Sequence, residues 1–500
     1  MFVQAARALA DVHIASLLFD LPGCGDSDGD FAEVPPESFE RACEAACDWL
    51  AGAAPSAPIA LLGVRTGALL ALRLAAKRPE VQALALWSPV AGADFVRQLL
   101  QRRMVNDMVA YGKARESRAS LDARLRAGET VDLDGYALSG PFYAWLQTLA
   151  AQPSGCPTRI ASGGHDEKCA EACALSRPDA VRSALRFPPF WNTVGHVDLV
   201  PLVSETTAWI ADLLSQSAPR TPALPALQPR SARAELGEFN GLRAAWDLPA
   251  GTPCAGTLFL HGWSGDRTGP HRLFVRFARQ LADAGVLCLR PDFYGRGLSD
   301  GASADASIAR MTRDACAALE ALRARLPPRA PISVVAICSG CKVAVSLAAE
   351  HPEIAQLVLW SAESMGSLRS SATDARKTSH ALLTYARKLM RPETWKKILS
   401  GNVRTDLVTK ALVKHETRSA DEARSEDETL KRFRAFRSPI LFVFGGSDPD
   451  APGSSRAYAG YCGENGIPCE QHTVANAGHS YYGEEWTREL IDVSLRFLKR

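Results

Sequence analysis

The sequence predicts an α/β architecture in two tandem copies, each a mostly parallel, doubly wound sheet with a helical insert. Three observations predict it: a long internal repeat, short apolar runs alternating with amphipathic stretches in each copy, and a Pro-rich segment between the copies.

The repeat is direct. Residues 1–29 (MFVQAARALADVHIASLLFDLPGCGDSDG) lie on 273–301 (LFVRFARQLADAGVLCLRPDFYGRGLSDG) without a gap, with 14 identities in 29 positions. APIALLGVRTG (57–67) lies on APISVVAICSG (330–340), and RPEVQALALWS (78–88) on HPEIAQLVLWS (351–361). TRIASGGHD (158–166) then matches ILFVFGGSD (440–448). Domain boundaries follow: a first copy over 1–215, a Pro-rich linker over 216–234 (SAPRTPALPALQPR at its centre), and a second copy over 235–500.

Each copy is built from the same parts. In the second, TLFLHG, VLCLRPD, ISVVAI, QLVLWS and ILFVFGG are short, apolar and rich in β-formers, the pattern of strands buried on both faces. Between them, RLFVRFARQLADAG and SIARMTRDACAALEALRARL carry apolar residues at helical spacing. Residues 91–156 and 364–437 break this rhythm after each WS strand and read as helical lids.

Composition narrows the function classes. The chain has 500 residues, 47% apolar and 22% charged, enough to bury a sizeable core in two or three domains. A net charge of +2 gives no global reason to expect nucleic acid or a membrane surface. No apolar run approaches the roughly 18 residues of a membrane span, and the amino terminus lacks a secretory pattern. Thirteen scattered cysteines are not a disulfide framework, and a cytoplasmic location is expected.

The chemistry is expected in the second copy. A strand entering a helix through small-x-nucleophile-x-small forms a strained turn that thrusts the central side chain outward. Ala336-Ile337-Cys338-Ser339-Gly340 fits that pattern centred on Cys338, whereas centring it on Ser339 puts bulky Ile337 at a small position. Downstream, FVFGGSDPD ends a strand and offers Asp448, with Asp450 as a substitute, and NAGHSYY offers His479 in a loop before the last helix. The order nucleophile, acid, base suits a triad in which His479 takes the thiol proton and Asp448 fixes its tautomer. Singly, each residue also reads as structure: a buried thiol, a strand-end turn residue, a loop histidine. The oxyanion hole is expected from the N–H of Ser339 and of Trp263, with His261 shaping the loop. DFYGRGLSDG lacks nucleotide-binding spacing, and neither cofactor nor metal is expected.

HGW, DFYGRGLSDG, the Cys338 turn, GGSD and AGH, in that order, resemble the α/β-hydrolase superfamily across 235–500. The Cys-Asp-His set resembles dienelactone hydrolases and some thioesterases. The lid string YARKLMRPETWKKILSGNV (385–403) looks like exosortase A system-associated hydrolase 1. The first copy, with GVRTGALLAL and RLRAGETVDLDGY (124–136), looks like hydrolase 2 of the same bacterial gene clusters. The resemblance implies a hydrolase and a surface-polysaccharide or protein-sorting gene context, but no substrate.

The first copy holds Arg65 where the nucleophile belongs, and arginine cannot be deprotonated to attack. Asp166 and His196 keep nearly the acid–base spacing with nothing to activate. The site reads either as an anion fork or as a dead site kept for packing or dimerisation, and the dead site is preferred. This copy lacks a counterpart of 235–272, including an interior strand, so Met1 is expected not to be the natural start.

The function expected is therefore a Cys-dependent ester or thioester hydrolase working through an acyl-enzyme. Its substrate is a small molecule, carrier-bound if the lid, with 17 Lys and Arg against nine Asp and Glu over 364–437, steers an acidic acyl carrier. Acyl transfer on the same triad, a non-catalytic scaffold, and a thiol oxidoreductase using Cys338-Ser339-Gly340-Cys341 are the alternatives, the last the weakest. Contact between the copies and a homodimer are left open.

Overall fold

The computed structural model describes residues 1–55, 57–177, 179–192, 197–214, 233–369 and 420–500. The chain divides into two compact units, Met1–Pro229 and Arg230–Arg500.

In the first unit, β1 (Ile59–Val64), β2 (Val81–Trp87), β5 (Thr158–Ala161) and β6 (Val181–Arg182) form a parallel sheet in that order. A separate antiparallel pair, β3 (Val131–Leu133) and β4 (Tyr136–Leu138), interrupts the insert that the sequence suggested was wholly helical. Asp134 and Gly135 turn between them, both at positive φ, so the local turn chemistry of LDGY overrides helical periodicity.

The second unit carries an eight-stranded sheet of β7 (Ala234–Phe239), β8 (Leu242–Asp247), β9 (Ala255–Leu260), β10 (Val286–Pro291), β11 (Ile332–Ile337), β12 (Gln356–Trp360), β13 (Ile440–Gly445) and β14 (Cys469–Val474). Their order is β14-β13-β12-β11-β9-β10-β8-β7, parallel except where β8 joins β10 and β7 joins β8. All five strands expected from apolar runs are present. β7 and β8 carry no continuous apolar run: AELGEF is a partly polar edge strand, and LRAAWD, between β10 and β7, has charged residues near both ends.

Alternate strand residues bury against helices on opposite faces, as a doubly wound sheet requires. Leu258, Leu260, Val334, Leu359 and Phe442 pack with the helices Ile308–Ala324, Gly340–Glu350, Ala420–Phe433 and Ala451–Asn465. On the other face Phe259 meets Phe274 in a tilted and Phe277 in an edge-on ring contact, both from the helix Leu273–Asp283, and the Trp360 indole N–H donates to Ser494 in the last helix. The segment expected as a lid therefore ends in a core element: Leu430, Phe433 and Phe436 are buried. Residues 370–419, with the 385–403 string and most of the basic side chains, lie outside the described residues, as do 215–232 of the expected linker.

The repeat survives in backbone geometry. Arg65 and Cys338 have φ of 57° and 59°, and Ser88 and Ser361 have φ of 46° and 47°. Gly25 and Gly297 share φ of 49° and 48°, and a Cβ on either would collide with the aspartate opening its loop, Asp20 or Asp292. One expectation changes. Residues 14–20, aligned with β10, form no strand, and Leu18 and Phe19 are exposed. β10 pairs only with β9 and β8, and the first unit has neither counterpart. Its sheet is thus a shortened one with β1 at the edge among the described residues, rather than one with an interior gap.

Candidate active site

β11 runs into the helix Gly340–Glu350 through Cys338, which sits at positive φ beyond the C-terminal end of that interior strand, while Ser339 is already in the helical region. Gly340 packs against the carbonyls of Leu260 and His261 so closely that a Cβ would overlap both. That close approach is why the turn needs a residue without a side chain there.

Asp448 follows β13 and is buried, and His479 sits in the loop between β14 and the last helix. The His479 Nδ1–H donates to Asp448 Oδ2 at 2.8 Å, which leaves Nε2 to face the thiol. The loop is fixed from behind, because the Ser361 hydroxyl donates to the His479 carbonyl at 2.8 Å and the Tyr481 hydroxyl to the Val443 carbonyl at 2.8 Å. Asp450, the substitute acid, instead donates its backbone N–H to Asp448 Oδ1. Burial disfavours charge on His479, but hydrogen bonds and Coulombic attraction from Asp448 and Cys338 outweigh it and push its pKa up to about 10.

Two residues near the thiol escaped sequence reasoning. The Cys338 S–H donates to Glu363 Oε1 at 3.2 Å, and Lys342 Nζ lies 3.4 Å from Glu363 Oε2. Lys342 also lies 3.6 Å from Glu426, so a nearly buried ammonium sits between two carboxylates. Burial raises the Glu363 pKa, yet Lys342, the Cys338 thiol and His479 together leave it below the ordinary glutamate value. The available signal was the other copy, where these positions hold Val90 and Leu69.

The structure also brings Ser339 and Trp263 together, but in a different manner from that expected. The Trp263 N–H donates to the Ser339 hydroxyl at 2.7 Å, so this donor is already engaged. His261 is buried; it accepts from the Phe293 N–H through Nε2 and bonds the Gly262 carbonyl through Nδ1, and burial lowers its pKa. That is the shape of a loop-bracing neutral imidazole. Cys341, three residues beyond the nucleophile position, is fully buried with its thiol on the Trp360 carbonyl, and burial raises its pKa well above the ordinary value. All thirteen cysteines are free, and Cys341 is not exposed as a resolving thiol would be.

In the first unit Arg65 fills the equivalent turn. Its guanidinium pairs with Asp166, donates to Gln98 Oε1 at 2.6 Å and lies 3.9 Å over the Trp191 ring. Gln98 Nε2 in turn donates to Asp166 at 2.9 Å. The anion fork, the alternative to a dead site, is thus occupied from within by the carboxylate of Asp166. His196 lies outside the described residues.

Two family models agree with this architecture. Residues 257–493 match the alpha/beta hydrolase family model, and residues 1–127 match that of the serine aminopeptidase S33 family. No curated protein matches the chain. Among solved structures, Est1E from Butyrivibrio proteoclasticus with bound ferulic acid is 18% identical with a TM-score of 0.36, covering 55% of this chain and 100% of its own. Proline iminopeptidase from Mycobacterium smegmatis is 15% identical with a TM-score of 0.36, covering 53% of this chain and 97% of its own. Dienelactone hydrolase from Anabaena variabilis is 13% identical with a TM-score of 0.33, covering 55% of this chain and 96% of its own.

Proposed function

The chain belongs to the α/β-hydrolase superfamily and is a hydrolase, and on that premise we propose that its second unit cleaves carboxylic esters or thioesters through Cys338 while its first unit is non-catalytic. The observation that carries this reading is the Asp448–His479 bond of 2.8 Å beside a cysteine held at positive φ on a strand-to-helix turn.

In this reading the Cys338 proton passes to His479 Nε2 before attack, in keeping with a ring pKa pushed up to about 10, and the sulfur then attacks the carbonyl carbon while Asp448 supports the imidazolium. The oxyanion is met by the backbone N–H of Ser339 and, once the Ser339 hydroxyl releases it, by that of Trp263. Collapse breaks the bond to the leaving alkoxide or thiolate, which takes the proton from His479. Water then attacks the thioester carbonyl and gives its proton to the neutral His479; collapse breaks the C–S bond, the Cys338 sulfur takes that proton back, and the carboxylic acid departs.

The first unit supports a structural role because Arg65 is neutralised by Asp166. The exosortase-associated identity rests on the sequence strings alone, and the 385–403 string lies outside the described residues. Thirteen free cysteines support a reducing compartment. Among the described residues no helix is long and apolar enough to cross a membrane.

The test is turnover of chromogenic esters and acyl-thioesters by wild type, Cys338→Ala, Ser339→Ala and Cys341→Ala, with intact-mass detection of the acyl-enzyme. Loss of both turnover and adduct in Cys338→Ala alone is expected. Adduct formation surviving Cys338→Ala overturns the assignment.

A further inference from the structure

We propose that Cys338, Glu363 and His479 form a binding site for a single zinc ion, which masks the thiol while bound. Sγ of Cys338, a carboxylate oxygen of Glu363 and a ring nitrogen of His479 all lie within 4.8 Å of one another. They form the one such group of three among the described residues. A tetrahedral zinc with a Zn–S bond of about 2.3 Å and Zn–N and Zn–O bonds of about 2.0–2.1 Å needs its ligand atoms about 3.3–3.6 Å apart. The Sγ to Glu363 Oε1 separation is already 3.2 Å, so only modest rotation is needed to close the set.

The surroundings suit a metal as well as the ligands do. Asp448 accepts the His479 Nδ1–H, which fixes the ring with Nε2 forward, the carboxylate–histidine–zinc arrangement of many zinc sites. Lys342 holds Oε2 of Glu363 at 3.4 Å, leaving Oε1 directed at the sulfur. All three ligands are partly exposed, so an ion can reach them and a water can fill the fourth position. On binding, the Cys338 S–H and His479 Nε2–H bonds break, the S–Zn and N–Zn bonds form, and both protons pass to solvent. The first unit has Arg65 and Val90 at the corresponding places and offers no such set.

This site stands on the ligand geometry and does not require the acyl chemistry proposed above. The full-length protein, freed of metal with EDTA, is titrated with zinc chloride. The rate of Cys338 alkylation by iodoacetamide is read by peptide mass spectrometry, with exposed Cys254 as the internal control. Zinc is expected to slow Cys338 at least about tenfold and leave Cys254 unchanged, with Glu363→Gln and His479→Ala each needing about tenfold or more zinc for the same protection. Cobalt is expected to give a thiolate charge-transfer band that Cys338→Ser removes. Unchanged alkylation of Cys338 under zinc, protection undiminished in both variants, or a cobalt band that persists in Cys338→Ser each overturns the proposal. Ester turnover, measured separately in EDTA, reports on the hydrolase reading alone.

Discussion

Arg65 and Cys338 occupy the same point of the same turn, with φ of 57° and 59°, and only one of them ends in a group able to attack a carbonyl. A non-glycine residue in this backbone costs of order 1–3 kcal/mol and persists where its surroundings over-determine it. In the second unit those surroundings are Asp448, His479 and Glu363; in the first they are Asp166, Gln98 and Trp191. The turn is a property of the fold, and the chemistry is a property of what it presents.

Arg65→Ala is therefore expected to cost stability and not activity. It strands a largely buried Asp166 and removes a ring contact, which together should destabilise the first unit by about 1–3 kcal/mol. Urea unfolding should show the loss while ester turnover stays at the wild-type rate.

Ser339→Ala separates the two ways of centring the turn. The side chain of Ser339 is buried and accepts from the Trp263 N–H, and the backbone N–H groups needed for an oxyanion survive the substitution. Turnover should stay within about tenfold of wild type, well short of the 10²–10³-fold loss typical of deleting an oxyanion donor. A loss as deep as that of Cys338→Ala contradicts this geometry.

The His479–Asp448 pair predicts a pH dependence of stability. The folded-state pKa of about 10 lies above the roughly 6.5 of a free histidine, so the folded protein holds this proton more tightly. The contribution is complete below about pH 6.5 and is lost as pH rises toward 10. In EDTA, the Tm advantage of wild type over His479→Gln should shrink across that window, and an advantage that grows with pH refutes the assignment.

Glu363→Gln tests the anion beside the sulfur. Glu363 is held ionised near neutrality by Lys342 and lies 3.2 Å from Sγ, where its charge opposes a thiolate. Neutralising it should raise the rate of Cys338 alkylation several-fold in zinc-free buffer, measured against Cys254. Slower alkylation would mean that Glu363 assists ionisation instead.

Much of this was legible in one dimension. Buried parallel strands are continuous apolar runs, so ISVVAI and ILFVFGG announce themselves, and the small residues around Cys338 are imposed by local sterics that act within five positions. Asp448 and His479 are legible because each follows a strand in the second copy, and the absence of a nucleophile at Arg65 follows from its chemistry. Glu363 and Lys342 carry no such mark: a charged residue after a strand or on a helix is ordinary until folding sets it beside a sulfur. The Trp263–Ser339 bond spans 76 positions, and the Arg65–Asp166 pair spans 101. Sequence alone determined the repeat, the turn and the order of the candidate catalytic residue types, because those depend on neighbours along the chain. Only the tertiary structure decided which acid holds His479, what fills the dead turn and what faces the thiol, because those depend on neighbours in space.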